Sequence, residues 1–138
     1  MAFSASASAE QEVNERQVII FDNIVTNIGN HYQAAASVFT CPVYGLYQIS
    51  VSPTSSDCET RCNVMRENDV IASTRAEEDG YNQSGVTVFV ECQAGQRIWV
   101  EGRNDGDCMY GNSVIPYSMF SGLLVQAQMQ IDNSSSRL

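Results

Sequence analysis

The stretch FDNIVTNIGNHYQAAASVFTCPVYGLYQISV, residues 21–51, combines widely spaced aromatic residues with no helical period. Its first half contains scattered Asn and Gly, which favour turns and loops. Its second half alternates, because Tyr47, Ile49 and Val51 fall on one face of an extended segment. A period of two is typical of a half-buried β-strand. The stretch therefore predicts strands separated by turns, with aromatic side chains anchoring a core.

The same alternation recurs in several later segments. GVTVFVEC (85–92) and RIWVEG (97–102) flank the short turn QAGQ, so we predict a β-hairpin over residues 84–102. RCNVMREND and VIASTRAE, residues 61–77, predict a second hairpin that turns at residues 67–69. No segment combines a helical period with caps at both ends. The chain is therefore predicted to be all-β, with about ten short strands in a sandwich or a barrel-like jelly roll.

The segment SMFSGLLVQA near the end of the chain is apolar on both faces of the predicted strand, with Phe120 and Leu124 on one of them. A strand of this kind needs cover on both sides. Phe89 raises the same question, since it points away from the valine face of its own strand. Several such side chains together indicate an interface between subunits. The predicted interface residues are Phe89, Met119, Leu123 and Val125.

Length and composition describe one globular domain with an acidic balance. The chain has 138 residues, of which 43% are hydrophobic and 17% are charged. Seven Lys and Arg face sixteen Asp and Glu, for a net charge of −9. This field repels phosphate backbones and anionic membrane surfaces, so nucleic acid is excluded as a partner. Neutral ligands, cationic ligands and cations remain open.

The sequence carries no membrane-spanning or targeting pattern. No apolar run approaches the roughly eighteen residues that a bilayer requires, so membrane insertion is not expected. The N-terminal MAFSASASAEQ has neither the basic nor the apolar region of a signal peptide. These residues do not distinguish a native start at Met1 from a start placed on a mature domain.

The chain has five cysteines, an odd number, so at least one thiol has no partner within the chain. Cys41 and Cys92 occupy apolar strand positions and are predicted to be buried thiols. One bridge is predicted among Cys58, Cys62 and Cys108, with the pairing left open. A zinc site at CETRC is the weaker alternative, because the spacing does not fit a zinc knuckle and the chain has one histidine. This use of cysteine fits a secreted protein.

The spaced residues of the opening stretch resemble the signature of the globular C1q domain, part of the tumour-necrosis-factor-like superfamily. That signature runs Phe, five residues, Asn or Asp, four residues, an aromatic, six residues, Phe, five residues, Gly, one residue, Tyr. The matching residues are Phe21, Asn27, Tyr32, Phe39, Gly45 and Tyr47. Ile49 and Val51 depart from the aromatic residues that the family prefers next. Both are predicted to point inward, so the departure implies a repacked core within the same fold.

Three further segments are similar to elements of that family: AFSAS (2–6), AGQRIWVEG (94–102) and SMFSGLLV (118–125). The second resembles a Gly-Asp-x-Val-Trp-Val element, with Gln96 in place of Asp. The resemblance implies a ten-stranded C1q/TNF-like jelly-roll sandwich assembled as a homotrimer. It covers residues 1–127 as one globular C1q domain and leaves residues 128–138 as a mobile C-terminal tail.

A head without a preceding Gly-X-Y collagen stalk looks like the C1q-domain-containing proteins of invertebrates, bivalve molluscs above all. The resemblance implies a secreted, non-catalytic, lectin-like pattern-recognition protein of innate immunity that binds microbial surface polysaccharides. The sequence contains no nucleophile elbow, phosphate loop or metalloprotease motif, so an enzyme is not expected. Two alternatives stay open: an adipokine-like trimeric signalling ligand for a host receptor, and an extracellular acidic cation-binding or matrix protein.

Net charge and one loop suggest where and how a glycan would bind. An acidic protein is expected to bind neutral sugars, or to bridge anionic sugars through Ca²⁺. The segment EGRNDGDCMYGN, residues 101–112, offers oxygen ligands of the kind that Ca²⁺ requires. Asp105 and Asp107 are the predicted Ca²⁺ ligands. The predicted sugar contacts are Arg103, Asn104, Tyr110 and Asn112. The alternative is that this acidic, Gly-rich loop is a solvated turn with no ligand.

Other conspicuous residues have structural interpretations. Trp99 is predicted to fill the core or an interface, and His31 to lie in a loop or an interface. The acidic residues 77–79 are predicted to form a solvated loop. Glycosylation sequons begin at Asn82, in that loop, and at Asn133, in the tail.

Overall fold

A computed structural model describes residues 1–129 of the chain. Residues 1–129 contain no helix, and thus none long and apolar enough to cross a membrane. The strands in this part of the chain are β1 (Ala2–Ser6), β2 (Gln11–Val13), β3 (Asn23–Ile28), β4 (Tyr32–Gln33), β5 (Val38–Thr40), β6 (Gly45–Ser52), β7 (Thr54–Ser56), β8 (Thr60–Arg66), β9 (Asp69–Ala76), β10 (Tyr81–Gln83), β11 (Val86–Cys92), β12 (Arg97–Gly102), β13 (Asp107–Met109) and β14 (Met119–Ala127).

Ten of these strands form two five-stranded antiparallel sheets. Sheet I has the order β11-β6-β14-β1-β3, and sheet II has the order β4-β5-β12-β8-β9. The remaining strands pair as β10-β7 and β13-β2. The inward faces of the two sheets share one core, since Phe3 of sheet I stacks on Phe39 of sheet II and Tyr47 of sheet I meets the same ring edge-on. The predicted ten-stranded jelly-roll sandwich is confirmed.

An aromatic stack forms the centre of that core. The Phe3 ring lies between Tyr32, at a centroid distance of 4.6 Å, and Phe39, at 4.8 Å. Phe120 meets the Phe3 ring edge-on at 4.9 Å. The Tyr32 hydroxyl donates to the Phe21 carbonyl at 2.6 Å, and burial raises the pKa of Tyr32 to about 12. The aromatic anchors of the opening stretch are therefore core residues, and their hydroxyls remain neutral at physiological pH.

The two anchors without rings shape the backbone. The Asn27 amide accepts from the Tyr32 N–H and donates to the Tyr32 carbonyl, which closes the turn after β3. At Gly45 a Cβ would lie 2.7 Å from the Gln126 carbonyl oxygen, closer than real contacts allow. Ile49 and Val51, which depart from the family pattern, point inward as predicted and are buried.

The predicted hairpin over residues 84–102 is wrong. β11 pairs with β6 in sheet I, whereas β12 pairs with β5 and β8 in sheet II. Residues 93–96 therefore cross between the sheets. At this corner the Gly95 N–H donates to the Cys41 carbonyl, and the Cys41 N–H donates to the Gln96 carbonyl. The alternation in the sequence shows that β11 and β12 each bury one face. It does not show which strand each of them forms hydrogen bonds with. The second predicted hairpin, β8-β9 turning after Arg66, is confirmed.

The cysteines follow the sequence prediction. Cys58 and Cys108 form a disulfide that links the β7–β8 connection to β13. This pairing answers the open question among Cys58, Cys62 and Cys108, and it removes Cys58 as a thiolate ligand for the alternative zinc site. Cys41, Cys62 and Cys92 are buried free thiols. Burial raises the pKa of Cys62 to about 12, so that thiol stays protonated and unreactive at physiological pH.

Thiol labelling tests this assignment directly. In the native protein we expect an alkylating reagent to modify none of the cysteines, because Cys41, Cys62 and Cys92 are buried. Denaturation without reductant should expose these three, and reduction should add Cys58 and Cys108. Mass spectrometry of peptides reads the sites. Labelling of Cys108 before reduction, or of Cys62 in the native state, would contradict the assignment.

The other structural interpretations have mixed outcomes. Trp99 is not a core residue: it is half-buried on the outward face of sheet II, because the inward positions of β12 are taken by Ile98 and Val100. Residues 77–79 are exposed, as predicted, and His31 is half-buried beside Gly29. Asn82 lies on strand β10, not in a loop. The Asn133 sequon and most of the predicted tail lie outside the described residues, so the boundary at residue 127 stays a prediction.

Candidate functional site

The outward face of sheet I presents an open apolar row. Successive cross-strand partners run across all its strands: Phe89, Gln48, Leu123, Ala2 and Ile28, of which Gln48 is the one polar member. Phe89 is 61% exposed and Leu123 is 40% exposed in the isolated subunit. Met119 and Val125 also belong to β14 and keep part of their surface uncovered. The structure thus brings the predicted interface residues together on one sheet, where no other part of residues 1–129 covers them completely.

The next row of sheet I consists of small hydroxyl residues: Thr87, Ser50, Ser121, Ser4 and Thr26. The Ser50 and Thr87 hydroxyls share a hydrogen bond of 2.8 Å. Short side chains beside an apolar row let another subunit approach the sheet closely. This combination is suited to a protein partner.

The outward face of sheet II carries a different feature, a concavity of about 520 Å³ around Trp99. We call it the Trp99 concavity. Trp99 lies opposite Met65 on β8, and Met65 lies opposite Val70 on β9, which gives an apolar floor. Glu101 lies opposite Asn63 one step further along the same strands. The concavity therefore places amide and carboxylate groups directly beside a tryptophan ring.

A segment before β3 forms one wall of the Trp99 concavity. The β5 strand pairs with β12 only at Arg97 and Ile98, which leaves the edge of β12 free beyond that point. Residues 15–19 fill this edge: the Arg16 N–H donates to the Gly102 carbonyl at 2.8 Å, and the Ile19 N–H to the Val100 carbonyl at 2.8 Å. Glu15 and Arg16 thereby join the lining of the concavity.

The charged groups of the Trp99 concavity are of two kinds. The Arg97 side chain and its backbone N–H donate to the Glu67 carboxylate, which holds the pKa of Glu67 below its ordinary value. Glu67 is thus occupied within the subunit. Within residues 1–129, by contrast, the Glu101 and Arg103 side chains form no ion pair with another residue. These two are available to a ligand.

The predicted Ca²⁺ ligands lie in a separate hollow of about 420 Å³ next to the disulfide. Asp107 is only 5% exposed, and its carboxylate accepts from Arg61 Nη2 at 2.7 Å and from Arg61 Nε at 2.9 Å. The Asp105 carboxylate accepts from the Glu15 N–H at 3.0 Å. Across residues 1–129, no three His, Cys, Asp or Glu side chains converge in an arrangement that could hold a metal ion. A Ca²⁺ ion at Asp107 would have to compete with Arg61.

The predicted sugar contacts are spread over the surface. Arg103 lines the Trp99 concavity, whereas Tyr110 lines a hollow with Tyr81 and Tyr117. The Asn112 side chain accepts from the N–H groups of residues 114 and 115, and so stabilises its own turn. Asn104 is half-buried between β12 and β13. The structure therefore does not gather these four residues into one site.

Sequence reasoning missed three aromatic residues of these hollows: Trp99, Tyr81 and Tyr117. The alternation in RIWVEG contained a signal for Trp99, because it sets Ile98 and Val100 on the face opposite Trp99. No local pattern connects Tyr81 with Tyr117, which belong to segments far apart along the chain.

Comparison with known proteins identifies the fold family. The family model of the C1q domain matches residues 2–125. The chain belongs to the C1q domain family. Bovine Protein HP-25 homolog 1 is 29% identical over 90 residues, which are 64% of this chain and 42% of that protein. A bovine complement C1q subcomponent is 47% identical over 47 residues, which are 34% of this chain and 19% of that protein. The chain thus matches less than half the length of either relative.

Solved structures of C1q and TNF proteins share the architecture. The globular domain of zebrafish complement 1qA superposes with a TM-score of 0.72 at 16% identity, covering 92% of this chain and 98% of that one. Eiger TNF from S. frugiperda superposes with a TM-score of 0.75 at 11% identity, covering 94% and 95%. At these identities the likeness shows the fold. C1q/TNF-like domains form trimers, and proteins with C1q domains are typically extracellular and generally non-enzymatic.

Proposed function

We propose that this C1q-domain protein is a secreted, trimeric, lectin-like recognition protein that binds neutral glycans of microbial surfaces at the Trp99 concavity. The observation that carries the proposal is the position of this concavity on sheet II. The apolar row that suits assembly lies on sheet I, the other face of the sandwich. Three subunits that associate through sheet I therefore keep three Trp99 concavities open to solvent.

The chemistry of the concavity supports a sugar ligand. A pyranose ring has an apolar face of C–H groups, and the indole of Trp99 beside Met65 offers an apolar surface of the same kind. Sugar hydroxyls need donors and acceptors in fixed positions, which Glu101 and Arg103 supply. The lining sets this one aromatic ring among several polar and charged side chains, and convergent polar groups of this kind fix the orientation of a ligand.

Charge favours neutral sugars over anionic ones. The chain carries a net charge of −9, whereas the concavity itself holds both signs: Glu15 and Glu101 face it together with Arg16 and Arg103, and Glu67 is paired with Arg97. It is the acidic field of the whole chain that repels carboxylated or sulfated polymers. Recognition of anionic sugars through Ca²⁺ at Asp105 and Asp107 stays a separate proposal, supported by the acidic hollow beside the disulfide. It predicts binding that a chelator abolishes.

Trp99→Ala is expected to weaken binding to immobilised mannan, a neutral glycan, by about tenfold, which corresponds to about 1.4 kcal/mol per site. The reason is the loss of the ring on which a sugar would lie. Tyr81→Ala is the matched control, because it removes an aromatic ring that lies outside the concavity. Biolayer interferometry of the two variants and the parent protein measures the effect.

The same measurement, preceded by a glycan array and run with Ca²⁺ and with chelator, separates the alternatives. Equal loss in Trp99→Ala and Tyr81→Ala would contradict the assignment of the site. Binding that disappears in chelator would favour the Asp105 and Asp107 hollow. If no glycan on the array binds with Ca²⁺ or with chelator, glycan recognition is contradicted altogether. That result would favour a protein receptor or a cation-binding role.

A further inference from the structure

Three tyrosines form a cluster outside the Trp99 concavity. Tyr81 comes from β10, Tyr110 follows β13, and Tyr117 precedes β14. The Tyr81 and Tyr110 rings lie 5.2 Å apart at an interplanar angle of 82°, and the Tyr110 and Tyr117 rings lie 5.4 Å apart at 57°. Together with Thr54 they line a hollow of about 260 Å³. We call these three tyrosines and the hollow they line the tyrosine cluster.

The backbone around Thr54 holds the tyrosine cluster in place. The Tyr110 N–H donates to the Thr54 carbonyl at 2.8 Å, and the Thr54 hydroxyl donates to the Tyr117 carbonyl at 3.2 Å. Gln83 on β10 donates to the same Tyr117 carbonyl at 2.5 Å. Ser118 links Thr54 and Tyr110 through its hydroxyl. Three separate segments are thus tied together around one buried residue, which fixes the backbone positions from which the three rings project.

The tyrosine cluster has the electrostatic character of a cation site. The face of an aromatic ring attracts cations, and mutually inclined rings offer several faces to one ligand. Within residues 1–129, no charged side chain lines the hollow. The exposed acidic residues 77–79 come just before Tyr81, and Asn82 donates to the Asp79 carbonyl at 2.7 Å. These acidic neighbours in the chain and its net charge of −9 favour a cationic ligand over an anionic one.

The lining also restricts which cation fits. A primary ammonium group needs hydrogen-bond acceptors to replace its water, and the described part of the chain places no carboxylate in the lining. A quaternary ammonium group has no N–H and presents methyl groups, so aromatic walls satisfy it. The volume of about 260 Å³ is below the roughly 300–1,000 Å³ of pockets for drug-sized ligands, which favours a small head group.

We propose that the tyrosine cluster binds a quaternary ammonium group of the kind found in choline. This site is independent of the Trp99 concavity, so it stands or falls separately from the proposed glycan recognition. Choline occurs free, on polymers and in lipid head groups, and these sources share the chemistry that the cluster recognises.

The test compares choline with 3,3-dimethylbutanol, a neutral alcohol of nearly the same shape. We expect calorimetric titration of the full protein to show at least about tenfold tighter binding of choline, because only the cation is attracted by the ring faces. Tyr110→Leu should lose at least about tenfold in choline affinity, since Tyr110 contacts both other rings. Trp99→Ala should bind choline as the parent protein does.

Tyr81→Leu serves as a second variant, because Tyr81 is 67% exposed and its removal leaves the anchoring around Thr54 intact. A folded Tyr81→Leu protein with unchanged choline affinity would overturn the proposal. So would equal binding of choline and the neutral alcohol, or no binding of either. Two outcomes would support the proposal and distinguish the source of the ligand. Co-sedimentation with phosphatidylcholine vesicles would indicate a lipid head group. Binding of free choline without co-sedimentation would indicate soluble or polymer-bound choline.

Discussion

Phe120→Ala is expected to lower the free energy of unfolding by about 3–5 kcal/mol, the range for removing a buried phenylalanine ring. Phe120 is fully buried on β14, the middle strand of sheet I. Its ring lies 4.9 Å from Phe3 and 5.6 Å from Phe21, so its loss leaves a cavity at the centre of the aromatic stack. Urea unfolding followed by fluorescence measures the change, at one protein concentration because an oligomer unfolds with concentration dependence.

Tyr81→Ala is the control for Phe120→Ala. It also removes one aromatic ring, but from an exposed position, where losses are typically about 0.5 kcal/mol. Similar destabilisation by the two substitutions would mean that Phe120 does not carry the core. A change in the denaturant slope would instead indicate that the unfolded or native state has altered its compactness.

Leu123→Glu is expected to convert the proposed trimer into monomers. Leu123 lies in the middle of the apolar row of sheet I, between Gln48 and Ala2 on the neighbouring strands. Association through this face would remove a carboxylate from water at each copy, and a buried charge without a partner is strongly unfavourable. Sedimentation equilibrium measures the mass, and circular dichroism shows whether the subunit keeps its fold.

Val70→Glu is the matched control for Leu123→Glu. It places the same charge at an exposed apolar position on a strand, but on sheet II. The Val70→Glu protein should remain a trimer. An unaltered mass for Leu123→Glu, or dissociation by Val70→Glu, would refute the assignment of sheet I as the assembly face.

The core was predictable because its determinants are local and periodic. Tyr47, Ile49 and Val51 alternate along one strand, and the spacing of Phe21, Tyr32 and the later aromatic anchors matches positions that all face the interior. Strand pairing was not predictable in the same way. Residues 84–102 contain everything that a hairpin requires, yet their two strands join different sheets, because pairing depends on distant segments.

The candidate sites depend on such distant contacts even more strongly. The spacing of Asp105 and Asp107 suggested a cation site, but nothing near them in the sequence announces that Arg61 on β8 binds the second carboxylate. Tyr110 was expected to be a surface aromatic, but the ring of Tyr81 that it meets comes from another strand pair. Trp99 was expected in the core or an interface because it is a tryptophan. The alternation of its own strand, which places Ile98 and Val100 inward, instead predicts that Trp99 faces outward.

The separation of the apolar row and the Trp99 concavity onto opposite sheets has a geometric consequence. In a trimer assembled through sheet I, the concavities face away from the three-fold axis and from one another. One short oligosaccharide cannot reach two of them, so a single glycan chain gains little from avidity. Three sites that diverge instead favour bridges between separate particles. If the proposed glycan sites are correct, such a trimer is suited to cross-linking and agglutinating particles rather than to binding one surface with higher affinity.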